Sequence, residues 1–295
     1  MIPAPPRSRL AFEAIGTDWS ITTPEPLPEG VRMRVHARIA EYDRAWSRFR
    51  DDSLVAELAR TGGPVRFGEE ARDLLGLLTA LAGATGGAMT PLIGGALEHL
   101  GYDAAYSLVP GAGYRAAPPL SVLHVDGTTV TLDESAVLDV GSAGKGQLVD
   151  LVAAELVGAG VAESVVDGGR DLRVAGEPLT AALEHPYDDR LAIGVVEVRD
   201  AALCASAVTR RAWDGRGGAL HHVLDGRTGR PVEQVAATWV LAPSALAADA
   251  LSTALFFAEP AGLEASGRFG PFEWVRMRTD GRLTASASWP GELFR

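Results

Sequence analysis

The 295-residue sequence predicts an α+β fold, in which one compact domain combines a mixed or antiparallel sheet with packed helices. Helical and strand-like segments mix along the chain without the strict alternation of a doubly wound parallel sheet. Asp126-Gly127 lies between two alternating apolar runs, a pattern typical of a β-hairpin. The 47% hydrophobic and 22% charged composition is that of a globular protein with a substantial core. We expect a single domain over residues 1–295, with 1–8 as a flexible tail.

In the N-terminal half, an extended segment at 9–22 comes first. At 31–49, apolar side chains three and four residues apart predict an amphipathic helix that includes Phe49. Further helices are expected at 53–58, capped by Ser53, at 69–85 and at 91–100, and strands at 122–125 and 129–132.

The C-terminal half continues the mixed pattern. Helices are indicated at 147–158, a run bounded by glycines, and at 245–257. Strands are expected at 160–166, 172–175, 191–198, 202–205, 220–224 and 238–242, with an extended tail at 273–286.

The chain is acidic, with a net charge of −11. This charge argues against a nonspecific nucleic-acid binder, and an anionic ligand would need local positive charge or a divalent cation. The single cysteine, Cys204, excludes an intrachain disulfide and a cysteine-rich metal site. No secretory signal is visible, and the apolar run 236–258 contains Pro243 and Asp249, so a membrane span is not expected. A cytoplasmic location is the prediction.

The most informative motif is Leu-Asp-Val-Gly-Ser-Ala-Gly-Lys-Gly at 138–146. It places Asp139, Ser142 and Lys145 among three glycines, immediately before a helical pattern. Glycines let a backbone approach a ligand, and a helix N-terminus offers free N–H groups to an anion such as a nucleotide phosphate. Lys145 is expected to add a mobile positive charge. The spacing matches neither the Walker motif nor Gly-x-Gly-x-x-Gly.

A second motif places Asp249 and Thr253 four residues apart, on one face of the predicted helix 245–257. A carboxylate and a hydroxyl are oxygen ligands suited to Mg²⁺. Alternatively, Asp249 caps a helix or pairs with an arginine.

Two further motifs are less specific. His222 precedes an Asp-Gly-Arg-Thr-Gly turn and could be a general base, a nucleotide contact, or a histidine hydrogen-bonded within a strand. The segment 85–91, Thr-Gly-Gly-Ala-Met-Thr-Pro, could present its backbone to a flat ring or simply join two helices.

In this order, the motifs resemble the ApbE family, the FAD:protein FMN transferases, from about residue 15 to 257. Ile15-Gly16-Thr17 stands at the family's Met-Gly-Thr, and Phe49 at its flavin-contacting tyrosine. The segment 85–91 matches Thr-x-Gly-Ala-Phe-Asp-Pro, and 138–146 matches Asp-Leu-Gly-Gly-Ile-Ala-Lys-Gly. The segment 222–229 matches His-Ile-Ile-Asp-Pro-x-Thr-Gly, and Asp249 with Thr253 matches Ala-Asp-x-x-x-Thr.

The resemblance implies Mg²⁺-dependent transfer of FMN from FAD to a threonine or serine of an acceptor protein, with release of AMP. It implies His222 and Asp249 as catalytic residues. The implied Mg²⁺ ligands are Ser142, Asp249 and Thr253. The implied FAD contacts are Ile15, Phe49, Ala88, Met89, Thr90, Asp139, Lys145 and Val223.

The sequence departs from the family pattern at several positions. Thr90 replaces an aspartate, Phe49 a tyrosine and Ile15 a methionine, and 205–209 replaces Thr-Ser-Gly-x-Tyr. Two alternative functions stay open at this point: an FAD pyrophosphatase that gives FMN and AMP, and a flavin-binding accessory protein without catalysis. An interaction module without a nucleotide does not account for the lysine motif or the Asp249/Thr253 pair.

Overall fold

The computed structural model describes residues 7–215 and 218–294. Within this part of the chain, the strands are β1 (Ser8–Ala14), β2 (Thr17–Thr23), β3 (Val65–Arg66), β4 (Leu123–Asp126), β5 (Thr129–Leu132), β6 (Ser164–Gly168), β7 (Leu172–Ala175), β8 (Leu179–His185), β9 (Asp188–Val198), β10 (Ala202–Ala207), β11 (Ala212–Gly215), β12 (Gly218–His221), β13 (Leu224–Asp225), β14 (Arg230–Pro231), β15 (Val235–Ala242), β16 (Glu273–Arg278), β17 (Leu283–Ala285) and β18 (Glu292–Leu293). The helices are α1 (Glu29–Trp46), α2 (Leu54–Thr61), α3 (Ala71–Ala84), α4 (Gly94–His99), α5 (Gly144–Gly158), α6 (Ala245–Ala254) and α7 (Pro260–Ala265).

An eight-stranded antiparallel sheet, ordered β1-β2-β6-β7-β10-β15-β16-β17, forms the centre of the fold. Helices α5 and α6 pack on one face of this sheet, with α1 and α3 outside them, around the larger hydrophobic core. The other face packs against the three-stranded sheet β18-β9-β8 around a second core. Both faces of the central strands are therefore buried, which explains the almost fully buried pattern of β15.

The predicted α+β class is confirmed by this architecture. The predicted hairpin forms at β4–β5, and Ser53 caps α2 by accepting a hydrogen bond from the Ala56 N–H. Part of the predicted tail, residues 1–6, lies outside the described residues, and Ser8 already belongs to β1. Within the described ranges, none of the helices combines the length and apolarity needed to cross a membrane.

Several predicted helices begin or end at the wrong residue, and two of these differences bear on the site. Helix α1 ends at Trp46, so Phe49 follows the helix instead of lying on its face. The segment after it is held as a turn because Arg48 pairs with Asp139 and Ser53 caps the next helix. Helix α4 begins at Gly94 rather than at 91. The Pro91 carbonyl accepts a hydrogen bond from the Asp139 N–H instead of accepting one from a backbone N–H within the helix.

Two strand predictions also need correction. The expected strand 220–224 is split, because β12 pairs with β11 whereas β13 pairs with β14. Strand β8 was not predicted, since its Leu-Thr-Ala-Ala-Leu-Glu-His sequence is rich in helix formers. Long pairing with β9 overrides that local preference.

Candidate active site

A cavity of about 1010 Å³ opens among the β1–β2 turn, the end of α1, the start of α5, helix α6 and the β12–β13 connection. Every site residue predicted from the sequence lines it except Ala88. Ala88 is buried behind the wall, where its carbonyl accepts from the Gly226 N–H (2.8 Å). The tertiary structure thus brings together residues that lie more than 200 positions apart in the chain.

The deepest part of the cavity is where α5 and α6 meet. The Asp249 carboxylate, on α6, accepts a hydrogen bond from the Gly146 N–H in the first turn of α5 (Oδ2–N 2.9 Å). The start of α6 is capped separately, by Ser244 and by the Asp150 carboxylate. Asp249 therefore does serve a helix N-terminus, although it is that of the neighbouring helix.

Burial of Asp249 and the nearby charge of Asp171 together raise the pKa of its carboxyl to about 7, against the smaller lowering effects of Lys145 and the Gly146 N–H. Only 4% of Asp249 is exposed, so the charged form has little contact with water. The cavity thus contains a carboxylate whose charge the surrounding protein compensates only in part. A bound cation would complete that compensation.

Lys145 is not the mobile charge that the sequence predicted. It lies inside the first turn of α5, and its Nζ forms an ion pair with Asp171 Oδ2 and lies 3.4 Å from the Gly169 carbonyl oxygen. Burial lowers the pKa of Lys145, but the carboxylates of Asp171 and Asp249 outweigh it, and the net pKa lies above its usual value. Lys145 is therefore charged at neutral pH.

Asp171 is a residue that the sequence reasoning missed. It closes the turn between β6 and β7, just after the Gly168-Gly169 pair, and it is completely buried. An acidic residue two positions after a glycine pair at the end of a strand was the available signal. By itself it looked like an ordinary turn.

Hydroxyl groups surround Thr253, one helical turn after Asp249. Ser206, on β10, lies with its Oγ 2.7 Å from Ser252 Oγ and 3.4 Å from Thr253 Oγ1. Ser142 lines the same cavity immediately before α5 and is partly exposed. Oxygen donors from three elements thus line the cavity that contains the Asp249 carboxylate, and Ser206 is the one that the sequence did not identify as a site residue.

Asp139 and Arg48 form the opposite wall. The Asp139 carboxylate accepts from Arg48 Nε (2.5 Å) and from the Gly141 N–H (2.8 Å), so its orientation is fixed. Arg48 lies over the Phe49 ring, with its Cζ 4.2 Å from the ring centroid. Phe49 in turn stacks on Tyr106 (centroids 5.0 Å apart, planes at 12°), which gives the cavity an aromatic wall.

His222 lies half-buried between β12 and β13, with Nδ1 3.4 Å from the Arg211 carbonyl oxygen. Burial, followed by the charge of Arg211, lowers the pKa of this imidazole to about 4. The side chain is therefore neutral at pH 7. When Nδ1 carries the proton toward the carbonyl, Nε2 is the basic nitrogen.

The remaining predicted contacts shape the cavity rather than supply charge. Ile15 lies in the β1–β2 turn at φ +46°, a conformation that is rare for a β-branched side chain. Thr90, at the family's aspartate position, uses its hydroxyl to accept from the Leu92 N–H (3.2 Å). Met89 and Val223 are buried and contribute apolar wall.

The Asp249 carboxyl makes the stability of the protein depend on pH in a defined direction. Because its pKa rises from 3.8 in the unfolded chain to about 7 in the folded protein, its contribution to stability is complete below about pH 4 and is lost as the pH rises to 7. We expect cation-free protein to lose this contribution between pH 4 and 7, and Asp249→Asn to lack it. Thermal unfolding of both proteins across this range, in a chelator, measures the difference. Identical pH dependence would contradict the raised pKa.

The donor set around Asp249 fits Mg²⁺. Within 7–215 and 218–294, no three His, Cys, Asp or Glu side chains are grouped to hold a metal, so a transition-metal site is not indicated there. Mg²⁺ is typically held by one or two carboxylates and keeps several waters. Asp249, Thr253 and Ser142 provide oxygen donors of this kind beside an incompletely compensated charge.

Comparison with known proteins gives a consistent result. The sequence model of the ApbE family matches residues 15–268. The chain is 29% identical to an FAD:protein FMN transferase of Rhodobacter capsulatus over 99% of its own length and 59% of that protein. It is 25% identical to one from Klebsiella pneumoniae (strain 342), over 88% of the chain and 80% of that protein.

Solved structures agree at the level of the fold. The ApbE protein of Thermotoga maritima superposes with a TM-score of 0.81 at 22% identity, covering 96% of this chain and 98% of that one. The flavin transferase ApbE of Vibrio cholerae superposes with a TM-score of 0.78 at the same identity and coverage. With the matched motifs gathered around one cavity and the family match covering most of its length, the chain belongs to the ApbE family.

Proposed function

We propose that the protein catalyses Mg²⁺-dependent transfer of FMN from FAD to a threonine or serine hydroxyl of an acceptor protein, with release of AMP. The observation that carries the proposal is the cavity itself, which gathers Asp139, Lys145, His222, Asp249 and Thr253 around one ligand-sized space. The names of the R. capsulatus and K. pneumoniae relatives support it. The chain spans 59% of the R. capsulatus protein, so the proposal does not extend to any activity of the remaining part of that relative.

The cavity has the size and lining for FAD. About 1010 Å³ is at the upper end of small-molecule sites, as a dinucleotide requires. The Phe49–Tyr106 stack offers a wall for a planar ring, and the N-terminus of α5 offers backbone N–H groups to the pyrophosphate. Asp139, fixed by Arg48, is placed to accept from a ligand hydroxyl or ring N–H.

Asp249, Thr253 and Ser142 would hold Mg²⁺, which would stabilise the negative charge that develops on the phosphoryl oxygens. The other tasks belong to the protein. Asp139 and the aromatic wall orient FAD so that the phosphorus on its FMN side faces the acceptor hydroxyl. His222 takes the proton of that hydroxyl at Nε2 as the oxygen attacks the phosphorus, and the bond to the AMP oxygen breaks.

A low imidazole pKa sets how His222 can act. With a pKa of about 4, His222 is a weak base but is fully neutral at pH 7, so every molecule is ready to accept the proton. The acceptor oxygen loses its proton while it forms its bond to phosphorus. Because bond formation makes the hydroxyl proton more acidic, His222 does not need to be a strong base.

The test is to incubate FAD with the protein, with and without Mg²⁺, and with and without an acceptor that has the family-type threonine motif. Chromatography should show AMP together with a flavin-labelled acceptor only when all components are present. AMP and FMN without an acceptor would instead indicate a pyrophosphatase. Intact but bound FAD in every sample would indicate a binding protein. A cytoplasmic location and a single domain over 1–295 stay predictions from the sequence.

A further inference from the structure

Asp171 is a charged side chain without any contact with solvent. Its exposed fraction is 0%, and it lies behind the cavity wall in the turn between β6 and β7. Among the residues that the structure describes, its Oδ1 has no hydrogen-bond partner. The neighbouring Cys204 thiol donates instead to the Ala245 carbonyl (Sγ–O 3.6 Å). A buried carboxylate with an unpaired oxygen is costly to the fold, so a functional role accounts for it better than stability does.

The one charged partner of Asp171 among the described ion pairs is Lys145. The Lys145 ammonium group also contacts the Gly169 carbonyl oxygen, so two oxygens of the turn between β6 and β7 bind it. A quarter of the lysine side chain, 24%, is exposed at the cavity. The ammonium group therefore faces the cavity while its charge is balanced from behind.

When Asp249 is ionised, the local charges do not cancel. Asp171 and Asp249 provide two carboxylates against the single Lys145, and Asp249 has no ion pair of its own within the described residues. A net negative charge at short range repels a pyrophosphate and attracts a divalent cation. If Asp171 were neutral, the same residues would have no net charge, and the repulsion of the pyrophosphate would be removed.

We propose that Asp171 is a positioning residue that restrains Lys145 and balances its charge, so that the site favours the divalent cation at the expense of direct FAD affinity. The inference rests on the proposed function, because it takes the pyrophosphate of FAD as the anion that approaches Lys145. It predicts opposite changes in two affinities from one substitution, which a merely structural role would not produce.

The decisive variant is Asp171→Asn, which keeps the shape and removes the charge. We expect FAD, titrated without a divalent cation and followed by flavin fluorescence, to bind roughly tenfold more tightly. Mn²⁺ alone, followed by the electron paramagnetic resonance signal of the free ion, should bind roughly tenfold more weakly. Loss of both affinities, or no change in either, would overturn the proposal.

Lys145→Met tests the same proposal with the opposite change of charge, and the test is valid even if Asp171→Asn does not fold well. It removes the positive charge and leaves both carboxylates, so FAD should bind more weakly and Mn²⁺ more tightly than in the unsubstituted protein. Weaker binding of both ligands would overturn the proposal. Asp280 lies in the exposed turn between β16 and β17, away from the cavity. Asp280→Asn changes the net charge of the protein by the same amount as Asp171→Asn and should leave both affinities unchanged.

Failure of the inference can be told from failure of the proposed function. If the unsubstituted protein binds FAD and transfers FMN but Asp171→Asn shows no opposite shift, the role of Asp171 is wrong and the function stands. If the unsubstituted protein does not bind FAD, the proposed function is wrong as well. A melting curve for each variant checks that the affinities are measured on folded protein.

Discussion

Replacing Asp249 by alanine is expected to abolish Mg²⁺-dependent release of AMP from FAD, with a loss of about 10³-fold or more. The substitution removes the only carboxylate among the proposed Mg²⁺ ligands, so the charge that develops on the phosphoryl oxygens loses its main stabilisation. It also leaves the buried Gly146 N–H without its acceptor, which costs about 1–3 kcal/mol of stability. The measurements are AMP release by chromatography and thermal unfolding of the same protein.

Asp249→Asn separates these two effects. Its side-chain oxygen can still accept from the Gly146 N–H, so the unfolding temperature at pH 7 should not fall below that of the unsubstituted protein. Activity should nevertheless be lost, because the amide has no charge for the cation. Full activity in Asp249→Asn would remove Asp249 from the metal site, whereas joint loss of fold and activity in both variants would assign it a structural role only.

Replacing Gly146 by alanine is expected to damage the fold and the site together. An added Cβ would lie 2.1 Å from the Ala245 carbonyl oxygen and 2.7 Å from Asp249 Cβ, and neither atom belongs to the flexible end of a side chain. Helices α5 and α6 must then separate, which costs about 3 kcal/mol and moves Asp249 away from Lys145. We expect a fall of several degrees in the unfolding temperature, together with loss of AMP release.

Gly158→Ala is the matched control in the same helix. Its Cβ would meet nothing within 4 Å at the exposed end of α5. Because alanine favours the helix over glycine, stability should be unchanged or rise by up to about 1 kcal/mol, with activity retained. Equal loss of activity in both variants would show that α5 does not tolerate substitution in general, and would contradict a specific role for the contact between α5 and α6.

The sequence by itself determined the fold class, most elements and a part of the cavity lining. Periodicity was sufficient to predict α1, bounding glycines to predict α5, and the Asp126-Gly127 turn to predict β4–β5. The resemblance of the motifs to the ApbE family then identified eleven residues that line the cavity. Local signals failed at β8, where pairing with β9 overrides a helix-forming sequence.

Only the tertiary structure decided how the charges are paired. The sequence presented Lys145 as a free cation and gave no sign that Asp171, 26 residues later, balances it from the next turn. It also left open whether Asp249 caps a helix, and the fold answers that it serves the N-terminus of α5 from α6. The physical reason is that burial and electrostatic interactions depend on distances in space. Residues distant in the sequence become neighbours through sheet order and helix packing, and local patterns do not encode these.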